Sequence, residues 1–266
     1  MVMQQATDFF EECAALHTLV APQTDAGFET PTQFKGWTIN NILRHLHVWN
    51  IAADLSLSDE IAFADFVQKM AAGVRGGKLP DFEAEYLGGL SGQGLRGAWI
   101  ERAEAMIAPF AATDPKRRLK WVGPEMSALS SITARLMETW AHGQAIYDVL
   151  GVGRVDGDRI GNIVRLGVNT WGWTWKNRRM DPPGPMPQLR LTAPSGAVWE
   201  YGEGDDLIEG SATEFCQVVT QCRNIADTSL EVTGDVAQHW MAVAQCFAGP
   251  PQDPPPAGTR YRARGV

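Results

Sequence analysis

A chain of 266 residues with 44% apolar content can bury one large core or two modest ones, which excludes a disordered or fibrous protein. Its formal charge of −8, with no dense Lys/Arg run before the C-terminal tail, excludes a phosphate-neutralising surface, so nucleic acid is not an expected partner. No segment has the length of a membrane span, the N-terminal MVMQQATDFFEECAALHTLVAP lacks early positive charge, and Cys13, Cys216, Cys222 and Cys246 lack C-x-x-C spacing; the expectation is a reduced, cytoplasmic chain.

In chain order, the pattern predicts a helix over residues 4–19. A second helix starts behind Thr38, a good N-cap, through INNILRHLHVWNIAADL, and SLSD restarts a shorter one to about Lys69. Residues 81–111 read as one long helix despite five glycines between 88 and 97. After WVGPEMS, Ser127 caps a helix that ends at Leu150 with Gly151 as its stop. Four main helices without a clear strand predict an antiparallel bundle over residues 1–152.

Beyond Gly151, DRIGNIVRLGVNTWGWTWKN reads as one connecting helix and MDPPGPMP as an extended linker. QLRLTAP and AVWEYGE alternate around PSG and predict a hairpin. A helix over 211–224, a strand near SLEVTG and a helix over 235–247 complete a small α+β unit, so residues 153–252 form the second domain and the fold class is α+β. The Pro-rich residues 253–266 read as a disordered tail. Trp171 and Trp175, one helical turn apart, are expected to stack and clamp the two domains together.

The chemistry gathers on the helix over 128–150. On a wheel, Ser130, Thr133, Gln144 and Asp148 share a narrow polar arc that should face water. Glu138 and His142 lie on the far side beside Ala134, Ala141, Ala145 and Val149, four residues apart on one face, and so should point inward together. Burying an acid and an imidazole calls for compensation, either from each other or from a shared ion. The second helix offers His45 and His47 as a further ligand. His47 shares an arc with Asn40, Arg44 and Asp54, whereas His45 borders Ile42, Trp49 and Ala52, so His45 is the inward one. Two imidazoles, a carboxylate and an open position suit catalytic zinc, and Ni, Mn or Fe(II) can use the same atoms. The bland alternative is a local Glu138–His142 hydrogen bond with His45 a satisfied, half-buried histidine.

WTINNILRHL and METWAHGQAIYDVLG resemble the DinB/YfiT-like metalloenzymes, in particular the mycothiol-dependent maleylpyruvate isomerase branch, in which W-T-x-x-x-x-L-x-H-L and E-x-W-x-H-G helices supply a metal triad. That resemblance implies His45, Glu138 and His142 as ligands of a divalent metal, zinc first, with a low-molecular-weight thiol as co-substrate. Downstream, RLTAPSGAVWEYG, GSATEFCQVVTQCRNIADTSLEVTGDVAQHW and QCFAGPP resemble the C-terminal region of an uncharacterised DinB-like metal-binding family, itself likened to a tRNA wyosine-formation domain. Arg223 stands where the isomerase branch carries an arginine, which implies a bidentate grip on a carboxylate of substrate or thiol; the alternative is a solvated helix-end cation. Relatives often continue H-G-x-D where this chain has Ala145, so an acid that would support a ligand or substrate is missing there.

The function expected is a metal-dependent thiol transferase or isomerase acting on a small electrophile. A non-catalytic metal-binding or stress-response module is the alternative. A tRNA-modification accessory role stands last, opposed by the acidic charge. His17 and His239 read as packing or surface residues, and Cys216 and Cys222 as small packing residues.

Overall fold

The computed structural model describes residues 3–263 and divides between Val149 and Leu150 into two compact units. The class is α+β: a helical first unit and a second unit built on a mixed sheet.

The first unit runs α1 (Gln4–Val20), α2 (Asp25–Phe28), α3 (Ile39–Ser58), α4 (Glu60–Gly76), α5 (Leu79–Tyr86), α6 (Gly92–Ala105), α7 (Ile107–Ala112), β1 (Arg118–Leu119), β2 (Met126–Ser127) and α8 (Ala128–Val149). Helices α1, α3, α6 and α8 pack as the bundle: α1 lies on α6 and α8, and α3 on the same two. Thr38 starts α3 through a reciprocal cap, its hydroxyl accepting from Asn41 N at 3.2 Å while Asn41 Oδ1 accepts from Thr38 N at 3.0 Å. Asp59 ends α3 and starts α4, its carboxylate accepting from Ile61 N and Ala62 N at 3.1 and 3.0 Å. Ser127 Oγ accepts from Ser130 N at 3.0 Å to open α8, and Gly151, at φ 69°, lies just past its end.

The single helix expected over 81–111 is instead three. Gly88 and Gly89 have φ of 60° and 75°, and two successive left-handed residues cannot continue a right-handed helix, so α5 ends before them and α6 begins afresh behind Ser91. The segment expected to be strandless also holds a short antiparallel ladder, pairing Arg118 with Ser127 and Leu119 with Met126. An apolar cluster of Val48, Ala52, Phe63, Phe66 and Phe82 seats α5 against α3 and α4, with Trp49, Leu79, Tyr86 and Trp121 packed around it.

The second unit runs through a 3-10 turn (Asp158–Ile160), α9 (Gly161–Asn169), α10 (Trp171–Asn177), β3 (Gln188–Thr192), β4 (Val198–Tyr201), β5 (Leu207–Ser211), α11 (Ala212–Val219), a second 3-10 turn (Ile225–Asp227), β6 (Glu231–Thr233) and α12 (Asp235–Val243). The connecting helix is broken at Thr170, whose hydroxyl turns back onto Leu166 O at 2.7 Å. The β3–β4 hairpin forms around the expected P-S-G turn, and the sheet order is β4-β3-β5-β6 with β3 and β5 parallel. Strand β5 was not anticipated, since only Ile208 in it is fully buried and its pairing with β3 is not local. Helix α11 stops at Val219, short of the expected 224, because the chain turns there and Gln221 takes φ 56°.

Trp171 and Trp175 meet edge-on at 5.2 Å as expected, and within the second unit Trp171 packs on Trp240 and Trp175 on His239. Residues 253–263 of the supposed disordered tail are held by polar contacts: Arg178 Nη1 to Asp253 at 2.9 Å, Asn224 Nδ2 to Pro255 O at 2.9 Å, Gly258 N to Asp227 at 2.8 Å and Arg260 Nη1 to Gln221 O at 2.6 Å. The last three residues of that tail lie outside the described residues. No described helix is long and apolar enough to cross a membrane.

Candidate metal centre

Helices α3 and α8 bring His45, Glu138 and His142 together. One ligand atom from each lies within 4.8 Å of the other two, the only such His/Cys/Asp/Glu group among the described residues. Glu138 Oε2 is 3.1 Å from His142 Nε2 and 3.8 Å from His45 Nε2. Atoms sharing a tetrahedral ion at about 2.0–2.1 Å stand about 3.3 Å apart, so these two separations bracket what a shared ion needs. The donor set of two imidazole nitrogens and one carboxylate oxygen therefore fits a divalent metal with a position left open.

The electrostatics make the same atoms ready. Burial opposes a charged Glu138, yet hydrogen bonds from His142 and His45 and the charge of Arg135 hold its carboxyl well below the usual range. Burial pushes His142 down, and the cations at His45 and Arg135 work against the pull of Glu138. Burial also works against a charged His45, but Glu138 and Glu83 outweigh it and raise that imidazole to about 8. Loading an ion at neutral pH would thus displace a proton from His45.

Sequence reasoning missed Glu83, the residue behind His45. On α5, Glu83 Oε1 lies 2.7 Å from His45 Nδ1 and accepts from Trp49 Nε1 at 3.0 Å, and its side chain is fully buried. The signal was present: Leu79, Phe82, Glu83 and Tyr86 follow i, i+3, i+4, i+7, so an acid occupies the apolar stripe. Ala145 offers no carboxylate on α8, and the acid that meets His45 comes from α5 instead.

Aromatic rings line the site. Trp37 stacks on His142 at 5.9 Å with planes 6° apart, and Phe34 meets the same imidazole edge-on at 4.8 Å. Both come from one tight turn, in which Trp37 N donates to Phe34 O at 2.9 Å and the central Lys35 and Gly36 have φ of 53° and 68°.

A family model described as the mycothiol maleylpyruvate isomerase N-terminal domain matches residues 9–147. The chain belongs to this family. Two uncharacterized proteins from two strains of Mycobacterium tuberculosis are each 36% identical over 246 residues, covering 92% of this chain and 95% of theirs. A crystal structure titled mycothiol-dependent maleylpyruvate isomerase, and that of a mutant form, match with TM-score 0.50 at 15% identity over 81% of this chain and 87% of theirs, a likeness of fold. The family match ends at residue 147, so it lends no support to the wyosine-formation likeness of the second unit.

Within this family member, other sequence-based expectations fare unevenly. His47 does not face water: it is 6% exposed, and its Nδ1 has no hydrogen-bond partner among the described residues. Of the polar arc, Ser130 is exposed while Gln144 and Asp148 are buried, an i,i+4 hydrogen bond of 3.0 Å between them helping to satisfy both. Arg223 lies in the second unit just beyond α11, buried rather than solvated, with Nη1 donating to Cys222 O at 3.0 Å. His17 packs against Arg96, whose Nη1 reaches its Nε2 at 2.6 Å. All four cysteines are buried, and burial raises the thiols of Cys216 and Cys222.

Proposed function

We propose that this protein is a divalent-metal-dependent enzyme that brings a low-molecular-weight thiol to a small electrophile, as a transferase or isomerase. The observation that carries the reading is the convergence of His45, Glu138 and His142 from two helices; three such ligands would leave a tetrahedral ion one position for a further group. When bound, zinc or a similar ion lowers the pKa of a thiol or water in its open position and presents it as a nucleophile. The residues supply the rest: Glu138 brings one negative charge to the dication, Glu83 orients His45, and the Trp37 and Phe34 rings flank His142 and limit water there. Membership of a family named for a mycothiol-dependent isomerase supports the thiol as co-substrate.

Arg223 is proposed as the carboxylate anchor for the thiol or its electrophilic partner. Arg223→Ala should weaken ligand binding while leaving metal content intact, and Arg223→Lys should do nearly the same because a point charge cannot reproduce the guanidinium fork. Titrating zinc-loaded protein with mycothiol and glutathione, while following proton release, tests the thiol reading. Saturable binding with proton release is the expected result; no binding, no proton release and no turnover with any thiol would retire it.

Ala145 favours a second reading, a metal-stabilised binding module without turnover. Saturable binding of a thiol with no product from a panel of electrophiles would select that reading.

A further inference from the structure

We propose that Glu83 is a positioning residue for the metal centre: it fixes the proton of His45 on Nδ1, so that the Nε2 lone pair faces Glu138 and His142. This inference rests on the metal reading above and concerns the residue behind the ligand.

Three observations carry it. The first is geometry: Glu83 Oε1 meets His45 Nδ1 at 2.7 Å, which leaves His45 Nε2 as the nitrogen on the side of Glu138. The second is that the carboxylate has little room to move. Trp49 Nε1 donates to the same oxygen at 3.0 Å, and α5 is seated by Phe82 in the apolar cluster with Phe66 and Val48. Gly73 of α4 lies so near that a Cβ there would come within 2.7 Å of the Phe82 ring, so the helix carrying Glu83 is closely packed on its neighbour.

The third observation is an imbalance. Glu83 is fully buried and its Oε2 has no hydrogen-bond partner among the described residues. A buried carboxylate left half satisfied costs stability unless positive charge lies close by. Arg135, itself buried, is one such charge. A dication on the far side of the His45 ring would be another, and it would gain from the carboxylate in return, since a carboxylate behind an imidazole raises its basicity as a ligand and fixes its tautomer. A side chain that served packing alone would have no reason to be polar at this position. An apolar side chain of the same length would fill the Leu79–Phe82–Tyr86 stripe better.

The test compares full-length wild type, Glu83→Gln and Trp49→Phe by zinc competition against a chromophoric chelator, with thermal unfolding of each metal-free protein. Nitrogen-15 spectra of the imidazoles, followed upward in pH until the ring signals stop shifting, report the tautomer of the neutral ring. The expected result is a loss of about 10- to 100-fold in zinc affinity for Glu83→Gln, with metal-free stability kept or raised, and a loss of a few-fold for Trp49→Phe, which keeps the carboxylate but frees it. In wild type the His45 proton is expected on Nδ1. Wild-type zinc affinity in Glu83→Gln would overturn this inference and leave the metal reading standing. No zinc binding by wild type would overturn both. Should Glu83→Gln fail to fold, the wild-type tautomer and Trp49→Phe decide: a proton on Nε2, or unchanged affinity in Trp49→Phe, contradicts the proposal.

Discussion

His45 and His47 stand two residues apart on α3 and do different work, and the difference is in what surrounds each ring. His45 meets two carboxylates, whereas His47 lies beside Arg102, which pairs with Asp54 at 2.5 Å. Burial, with that guanidinium as a lesser cause, lowers His47 from its ordinary 6.5 to about 4. The unfolded chain therefore binds the His47 proton more readily than the folded one between those values. Stability from this residue is fully present above pH 6.5 and is lost as pH falls toward 4. Wild type should lose about 3 kcal/mol more than His47→Gln over that window, read from urea unfolding at stepped pH. Parallel pH profiles in the two proteins would contradict the assignment. The same contrast predicts that His45→Ala abolishes tight zinc binding while His47→Gln leaves it nearly unchanged; equal losses would show the assignment of the two rings to be wrong. The convergence of His45, Glu138 and His142 was legible because Glu138 and His142 share a helix face whatever the phase error, being four residues apart. His47 was misread because a wheel equates a polar arc with water, and Asn40, buried on the same arc, shows that α3 is covered there.

At the scale of elements, glycines decided what could and could not be read. A wheel drawn straight through Gly88 and Gly89 carries a false phase across two left-handed residues, and with it α5 lost its identity as a separate amphipathic helix carrying Glu83. The capped helices α3 and α8 were legible because Thr38, Asp59, Ser127 and Gly151 sit where backbone donors and acceptors need them. The turn that delivers Phe34 and Trp37 to the site gives a prediction of its own. Lys35 holds φ 53° at a cost that glycine would not incur, so Lys35→Gly should stabilise the protein by about 0.5–1 kcal/mol. At Gly36, φ 68°, a Cβ would meet nothing within 4 Å, so Gly36→Ala should cost about 1 kcal/mol from backbone conformation alone. Thermal unfolding of both variants checks this, and shifts of the same sign would contradict the turn as described.

For the whole molecule, the division into a helical unit and a mixed α+β unit was legible from the change of periodicity after Gly151, while the parallel β3–β5 pairing was not, since the two strands are separated by β4 and no tight turn joins them directly. The C-terminal segment shows the same limit: its Pro-rich composition signals a chain without helix or strand, yet side chains and backbone groups of the second unit bind it residue by residue. Deleting residues 253–266 should therefore lower the stability of the second unit by about 2–4 kcal/mol, at roughly 1 kcal/mol per hydrogen bond lost. Unchanged unfolding would restore the disordered tail. The first unit should respond to metal instead: free zinc at about 100 times its dissociation constant should stabilise it by about 2.7 kcal/mol. The central claim, that His45, Glu138 and His142 hold a divalent ion, is tested most directly by calorimetric titration of chelator-stripped protein with zinc. The account predicts about one equivalent bound per chain with protons released at pH 7, and loss of that binding in His45→Ala. Absence of saturable zinc binding in wild type, or binding that survives in His45→Ala, would contradict it.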